Sequence, residues 1–206
     1  LSLHQRSLMI DEAVFGHFHP STANRLNNLA LAFGALRQPE NAILHLKRAL
    51  AILENTSSPV DVSTATTLNN LAMTYRDLGQ LELVLPLHQR ALSMVEKELG
   101  PLHPSTASSL GNLAYEHLLR GQPEVAVVFL KFAVNIYQSQ RERVSTLGNT
   151  ELKSYTKMVE GTYRGLASIL TDQGRLDEAQ LVLDMLKEDE QFEFVRRSAN
   201  ADPRRS

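Results

Sequence analysis

Leu26-Asn27-Asn28-Leu29-Ala30 returns as Leu68-Asn69-Asn70-Leu71-Ala72 and again as Leu110-Gly111-Asn112-Leu113-Ala114, each copy 42 residues after the one before. The match extends both ways. Upstream, His19-Pro20-Ser21-Thr22-Ala23 reappears as His103-Pro104-Ser105-Thr106-Ala107, with Asp61-Val62-Ser63-Thr64-Ala65 between them at the same offset. Downstream, Arg48-Ala49-Leu50 matches Arg90-Ala91-Leu92, and Phe132-Ala133-Val134 is a weaker third copy. Several segments recurring at one interval mark a repeat architecture, in which a unit buries its apolar side only against its neighbours.

Each unit reads as two helices. Leu26, Leu29, Ala30 and Phe33 fall on one face of a helix, and Leu68, Leu71, Ala72 and Tyr75 fill the same slots. Pro20 and Pro104 suit a first turn, where the missing N–H has no partner to lose. Gly79, Gly121 and Gly174 then end the first helices, since a left-handed C-terminal residue is cheapest as Gly. Arg37 holds that slot in the first unit, which predicts a strained or differently shaped turn. Second helices start near Pro39, Leu81, Pro123 and Arg175, with Ala42, Leu46, Ala49 and Leu53 three or four apart. Small residues at Ala30, Ala72 and Ala114, and at Ala49, Ala91 and Ala133, permit close helix approach. Pro86 falls inside a second helix, where it costs about 3 kcal/mol unless the helix bends or starts late. A kink is expected there.

A fourth pair runs from Tyr163-Arg164-Gly165-Leu166-Ala167 past Gly174. From Ala114 to Ala167 the interval is 53 residues, and the excess lies in residues 138–149, as a longer helix or a loop. At the other end, His4-Gln5-Arg6-Ser7-Leu8 is similar to His88-Gln89-Arg90-Ala91-Leu92. The expected organisation is therefore the second helix of a truncated preceding repeat over 1–13, repeats over 20–56, 62–99 and 104–140, a fourth repeat with an exit helix over 149–197, and a disordered tail over 198–206. The opening residues lack a basic n-region, and the chain reads as a piece of a longer protein.

These residues resemble the tetratricopeptide repeat in the 42-residue form of kinesin light chains and nephrocystin-type proteins. The resemblance rests on the His-Pro-Ser-Thr-Ala entry, Leu-Asn-Asn-Leu-Ala, Tyr75 with Gly79, and Arg-Ala-Leu in the second helix. Period alone also admits armadillo or HEAT units; the matched small residues and the Gly between paired helices favour the tetratricopeptide. It implies an all-α fold, a right-handed superhelical solenoid of antiparallel helix pairs. The C-terminal quarter is similar to something narrower. Leu152-Lys153-Ser154-Tyr155, Thr162-Tyr163-Arg164, Gly174-Arg175-Leu176-Asp177-Glu178-Ala179-Gln180, Met185-Leu186-Lys187-Glu188 and Phe192-Glu193-Phe194-Val195-Arg196-Arg197 resemble the last repeat and exit helix of bacterial CHAT proteins. There a repeat array precedes a caspase-like peptidase domain, which implies a regulatory role toward such a domain outside this chain.

The first helices of such an array line a concave groove. With the apolar face turned inward, Asn24, Asn27, Asn28 and Leu31 lie off it, followed by Thr66, Asn69, Asn70, Met73 and Arg76 in the second unit. Ser108, Gly111, Asn112, Tyr115 and Leu118 come next, and Arg164, Ser168 and Thr171 continue the row. A side-chain amide both donates and accepts, so it can pair with the backbone of any extended peptide. Groove Asn residues in the related families do this, which the resemblance implies for Asn28, Asn70 and Asn112. The same amides suit a second role, bonding to adjacent helices and holding repeat geometry. Arg76 and Arg164 are solvated charges or carboxylate contacts, and Met73 and Tyr115 are packing residues or peptide anchors.

Composition narrows the chemistry. Among 206 residues 43% are hydrophobic and 21% charged, so a packed core is expected. A net charge of −2 argues against nucleic acid as partner. There is no Cys, which removes disulfides, thiolate metal sites and Cys catalysis, and no apolar run long enough to span a membrane. His17 and His19 lie two apart with Asp11 and Glu12 upstream, but a metal site needs three or four converging ligands and the matching segment around His103 has no second His; His19 and His103 both precede Pro at a helix entry, which favours a structural role. No phosphate loop, His-Glu-x-x-His pair or Gly-x-Ser-x-Gly elbow occurs. The expectation is a cytoplasmic scaffold that binds a protein or extended peptide, without enzyme activity, cofactor or metal. A structural spacer or self-association module is the alternative.

Overall fold

The computed structural model describes residues 1–55, 62–140 and 149–187. Every regular element among them is helical: α1 (Ser2–Phe15), α2 (Pro20–Ala35), α3 (Pro39–Glu54), α4 (Val62–Asp77), α5 (Val84–Leu99), α6 (Pro104–Leu119), α7 (Pro123–Ser139), α8 (Asn149–Asp172) and α9 (176–187), with a single 3-10 turn at Leu81–Leu83. Residues 188–197 of the expected exit helix and the tail from 198 lie outside the described residues. The chain divides into two compact units, Leu1–Glu116 and the part from His117 onward.

The turns inside the helix pairs repeat closely. Gly79, Gly121 and Gly174 take φ of 73, 70 and 72°, and Arg37 takes 57° in the same slot. The residue after each donates its N–H to the carbonyl five positions back: Gln38 to Phe33 at 3.0 Å, and Gln80 to Tyr75, Gln122 to His117 and Arg175 to Leu170 at 2.9 Å. Of the two outcomes expected for Arg37, strain is the one found; the turn keeps its shape. An L-residue is held where its Cβ crowds the carbonyl, at about 1–2 kcal/mol.

Pro86 corrects an expectation. The helix starts late: Leu81–Leu83 winds as a 3-10 turn and α5 begins only at Val84. Pro86 is then the third residue of the helix, inside the first turn, where its absent N–H would have had no intrahelical partner. At the helix entries the two His-Pro-Ser-Thr segments are capping devices. His19 Nδ1 accepts from the Ser21 N–H and His103 Nδ1 from the Ser105 N–H, both at 3.1 Å. Thr22 and Thr106 donate to the carbonyls of Gly16 and Gly100 at 2.8 and 2.9 Å, tying each entry to the end of the preceding helix.

In the first unit the residues read as an apolar face are buried. Leu26, Leu68, Ala49, Ala91 and Ala72 have no exposed surface, and Leu29, Ala30, Leu46, Leu53 and Leu71 have 4% or less. Aromatic contacts join helices within a pair, such as Phe33 stacked on His45 at 5.2 Å. Outside, Arg48 reaches Glu12 at 2.6 Å and Arg90 reaches Glu54 at 2.5 Å, the same link one repeat apart. In the second unit His117 stacks on Phe129, and α8 buries Tyr163, Leu166 and Leu170 completely. Lys131 on α7 and Arg175 both bind Glu178; the Arg175 hydrogen bond first, then that of Lys131, holds its carboxyl down at about 2. α8 has 24 residues against 16 in α2, α4 and α6, so part of the excess length is helix. Residues 141–148 lie outside the described residues.

Candidate functional site

Between α2 and α4, in the first unit, lies a groove of about 380 Å³ lined by Asn24, Asn27, Asn28, Leu31, Val62, Ser63, Thr66 and Asn70. The helical period explains the set. Asn24, Asn28 and Leu31 stand a turn apart on the side of α2 away from its core face, and Val62, Thr66 and Asn70 do the same on α4. No lining residue carries a charge.

The six Asn residues expected in the row divide by what they bond. Asn27 is only 6% exposed; its Nδ2 donates to Thr67 Oγ1 at 2.6 Å, and its Oδ1 accepts from Asn70 Nδ2 at 3.4 Å. Thr67 in turn donates to the Ser63 carbonyl. Asn69 Oδ1 faces His88 Nδ1 at 2.8 Å. Asn27, Asn69 and Asn70 therefore tie helices together. Asn24, Asn28 and Asn112 make no side-chain hydrogen bond among the described residues. Met73 and Tyr115 are 46% and 50% exposed, and Ser108 donates to the Pro104 carbonyl. Arg164 belongs to the second unit, where it is exposed and pairs with Glu160 at 2.7 Å.

Arg76 is the residue whose surroundings the sequence reading missed. Its Nη1 lies 2.6 Å from Glu116 Oε1, and its guanidinium sits over the Tyr115 ring at 5.1 Å. Glu116 is 2% exposed, and so is His88, whose Nε2 lies 3.9 Å from the same carboxylate oxygen. Burial pushes the His88 imidazole below its usual range, with Arg76 adding to that and Glu116 opposing it. The cluster is specific to one step of the repeat. Where His88 stands, the sister helices carry Leu46 and Leu130; Glu116 replaces Ala32 and Thr74; Arg76 replaces Gly34 and Leu118. Superposing the repeats for their differences, rather than their matches, would have found it.

Among the described residues no group of three or more His, Asp and Glu converges as a metal site, and no helix is long and apolar enough to cross a membrane. The sequence profile of the tetratricopeptide repeat matches residues 1–55 and 63–139. No curated protein matches the chain. Among solved structures, a Podosopora anserina protein described as kinesin light chain with nearly identical TPR-like repeats is 25% identical, with 92% of this chain and 84% of that one covered and a TM-score of 0.66. BtubC (BKLC) from P. vanneervenii is 21% identical over all of this chain and 76% of that one, with a TM-score of 0.72. Aspartyl phosphate phosphatase F from Bacillus subtilis is 17% identical over 84% of this chain and 41% of that one, with a TM-score of 0.68. The last two likenesses concern the fold alone.

Proposed function

Because the chain belongs to the tetratricopeptide-repeat family, whose fold generally mediates protein–protein interaction, we propose that it is a non-catalytic scaffold that holds an extended peptide segment of a partner protein in the groove lined by α2 and α4 and along α6. The observation that carries this reading is the set of unbonded amides. Asn24 and Asn28 flank a concavity of about 380 Å³ with their hydrogen-bonding capacity unused among the described residues, and Asn112 stands at the register of Asn28 on α6. An amide of this kind pairs with a peptide N–H and a peptide C=O at once. Leu31, Met73 and Tyr115, all exposed, supply apolar surface beside them.

Replacing Asn28 and Asn112 together by Ala tests the reading. Loss of binding to an immobilised peptide array, at unchanged melting temperature, is the expected result. A fallen melting temperature with binding retained would sink the groove reading and assign these amides a structural role. A narrower form, regulation of an attached caspase-like domain, rests on the C-terminal motifs, of which residues 174–187 are described and 188–197 are not. It requires that the ligand bind two states of the assembly with different affinity. Peptidase activity that does not respond to groove occupancy in the longer protein would remove it.

A further inference from the structure

Three features compete for a further role: the bare apolar side of α1, the exposed stripe Val125, Val128 and Phe132 on α7, and the cluster around Arg76. The first two have nothing to say what covers them. The third has internal chemistry.

Glu116 presents its carboxylate to Arg76 from a position that is almost solvent-free. The guanidinium is fixed on one side by that oxygen and on another by the Tyr115 ring. Its Nε and Nη2 hydrogens make no hydrogen bond among the described residues, and the side chain keeps 22% of its exposure. Arg76 is thus a rigid donor whose charge is cancelled by a partner that a ligand cannot reach. Tyr115 occupies the register of Leu31, which lines the groove, so the fixed guanidinium lies at a ring belonging to the same row. A guanidinium without a partner draws carboxylates strongly. One already balanced at 2.6 Å offers an incoming acid a repelling carboxylate behind the attracting cation.

Resting on the groove reading above, we propose that the Arg76–Glu116–Tyr115 cluster is a specificity site, and that it selects a peptide segment uncharged at that step: a backbone carbonyl or neutral side chain accepts from Arg76 while an apolar group lies on Tyr115. Glu116 is the residue that decides this. It touches no ligand and acts by setting the charge of Arg76. The departure of three register positions from the repeat, all at this one step, is what a local specialisation requires. The other lining residues agree, because no charged side chain borders the groove between α2 and α4.

The probes are two immobilised decapeptide arrays. One is built from Ser, Asn, Ala and Leu, and the other is the same with a single Asp walked along each peptide. The wild-type chain should hold the neutral array and lose about tenfold on peptides that place Asp at this step, the factor that about 1.4 kcal/mol represents. Glu116→Gln keeps the shape and leaves the guanidinium unbalanced, so the preference should reverse toward Asp by a similar factor and become salt-sensitive. Arg76→Met with Glu116→Gln removes both charges and the donor together, so discrimination against Asp at this step should vanish while neutral-array binding weakens. Should Glu116→Gln fail to fold, the wild-type salt response still decides: neutral-array binding should change less than about twofold across the range where surface charges are screened. Wild-type preference for Asp peptides, or a Glu116→Gln variant that folds with an unchanged ratio, overturns the specificity claim alone. Failure of every array to bind through Asn28 and Asn112 overturns the groove reading, and this inference with it.

Discussion

Replacing Arg37 by Gly should stabilise the chain, although it deletes a long side chain and adds the most flexible residue. Arg37 has φ of 57°, in the left-handed region where an L-residue pays about 1–2 kcal/mol. Its side chain is exposed and makes no hydrogen bond among the described residues, so nothing else is removed. Gly would relieve that strain and lose about 0.5–1 kcal/mol through the greater freedom of the unfolded chain. The net gain is about 0.5–1 kcal/mol, which for a chain of this size raises the melting temperature by about 1–4 °C. The matching control is Gly79→Ala. A Cβ built at Gly79 meets no atom within 4 Å, so its cost is conformational only and should mirror the gain at Arg37 in size. Both turns lie in the first unit, and the double variant should fall close to wild type. Urea unfolding followed by circular dichroism measures all three. If Arg37→Gly lowers the midpoint while Gly79→Ala leaves it unmoved, the turn equivalence and the strain argument are both wrong.

Acid should weaken the fold through two imidazoles. Burial first, and then a neighbouring Arg, keeps His45 below its ordinary value; burial does the same for His88. The unfolded chain then binds protons first, so stability is complete above about 6.5 and falls as the pH drops below it. Melting temperatures across that window test this, and a rise on acidification would contradict it. The Asn series should split: Asn27→Ala loses about 1–3 kcal/mol because it strands the groups it bonds, whereas Asn28→Ala should stay within about 0.5 kcal/mol. Pro86→Ala should also be nearly neutral. A gain near 3 kcal/mol, the relief expected from a mid-helix proline, would show that α5 does not begin where it is placed.

The fold was legible because repetition averages out local ambiguity. One Leu-x-x-Leu-Ala segment is a helix face among many; three at a fixed interval, each followed by a left-handed turn, leave little choice of architecture. Arg37 shows how far that reaches, since the repeat imposes the Gly conformation on a residue that resists it. Pro86 shows the limit. Whether a helix bends around a proline or starts after it depends on whether the preceding residues can wind more tightly, and the Leu81–Leu83 turn is not encoded in a hydrophobic period.

The candidate groove was less legible, and the Asn residues give the reason. Asn27 and Asn69 occupy one register, yet they bond differently. Thr67 accepts from Asn27, and the residue at the Thr67 register one repeat later is Ser109, also a hydroxyl, whose Oγ donates to the Ser105 carbonyl. What diverts Asn69 is His88, a polar ring in a slot filled elsewhere by Leu46 and Leu130. Which helix an amide ties down thus depends on a substitution on another helix, which no inspection of the amide's own neighbours reveals. The same substitution places an imidazole beside Glu116, and Glu116 is what fixes Arg76. In a chain built by copying, residues that copy faithfully hold the units together, and chemistry that one step alone requires enters where the copies disagree. If the proposed groove reading holds, the step between α4 and α6 is where selectivity should reside, and the uncharged step between α2 and α4, where Asn24 and Asn28 line the groove, should supply affinity without choice.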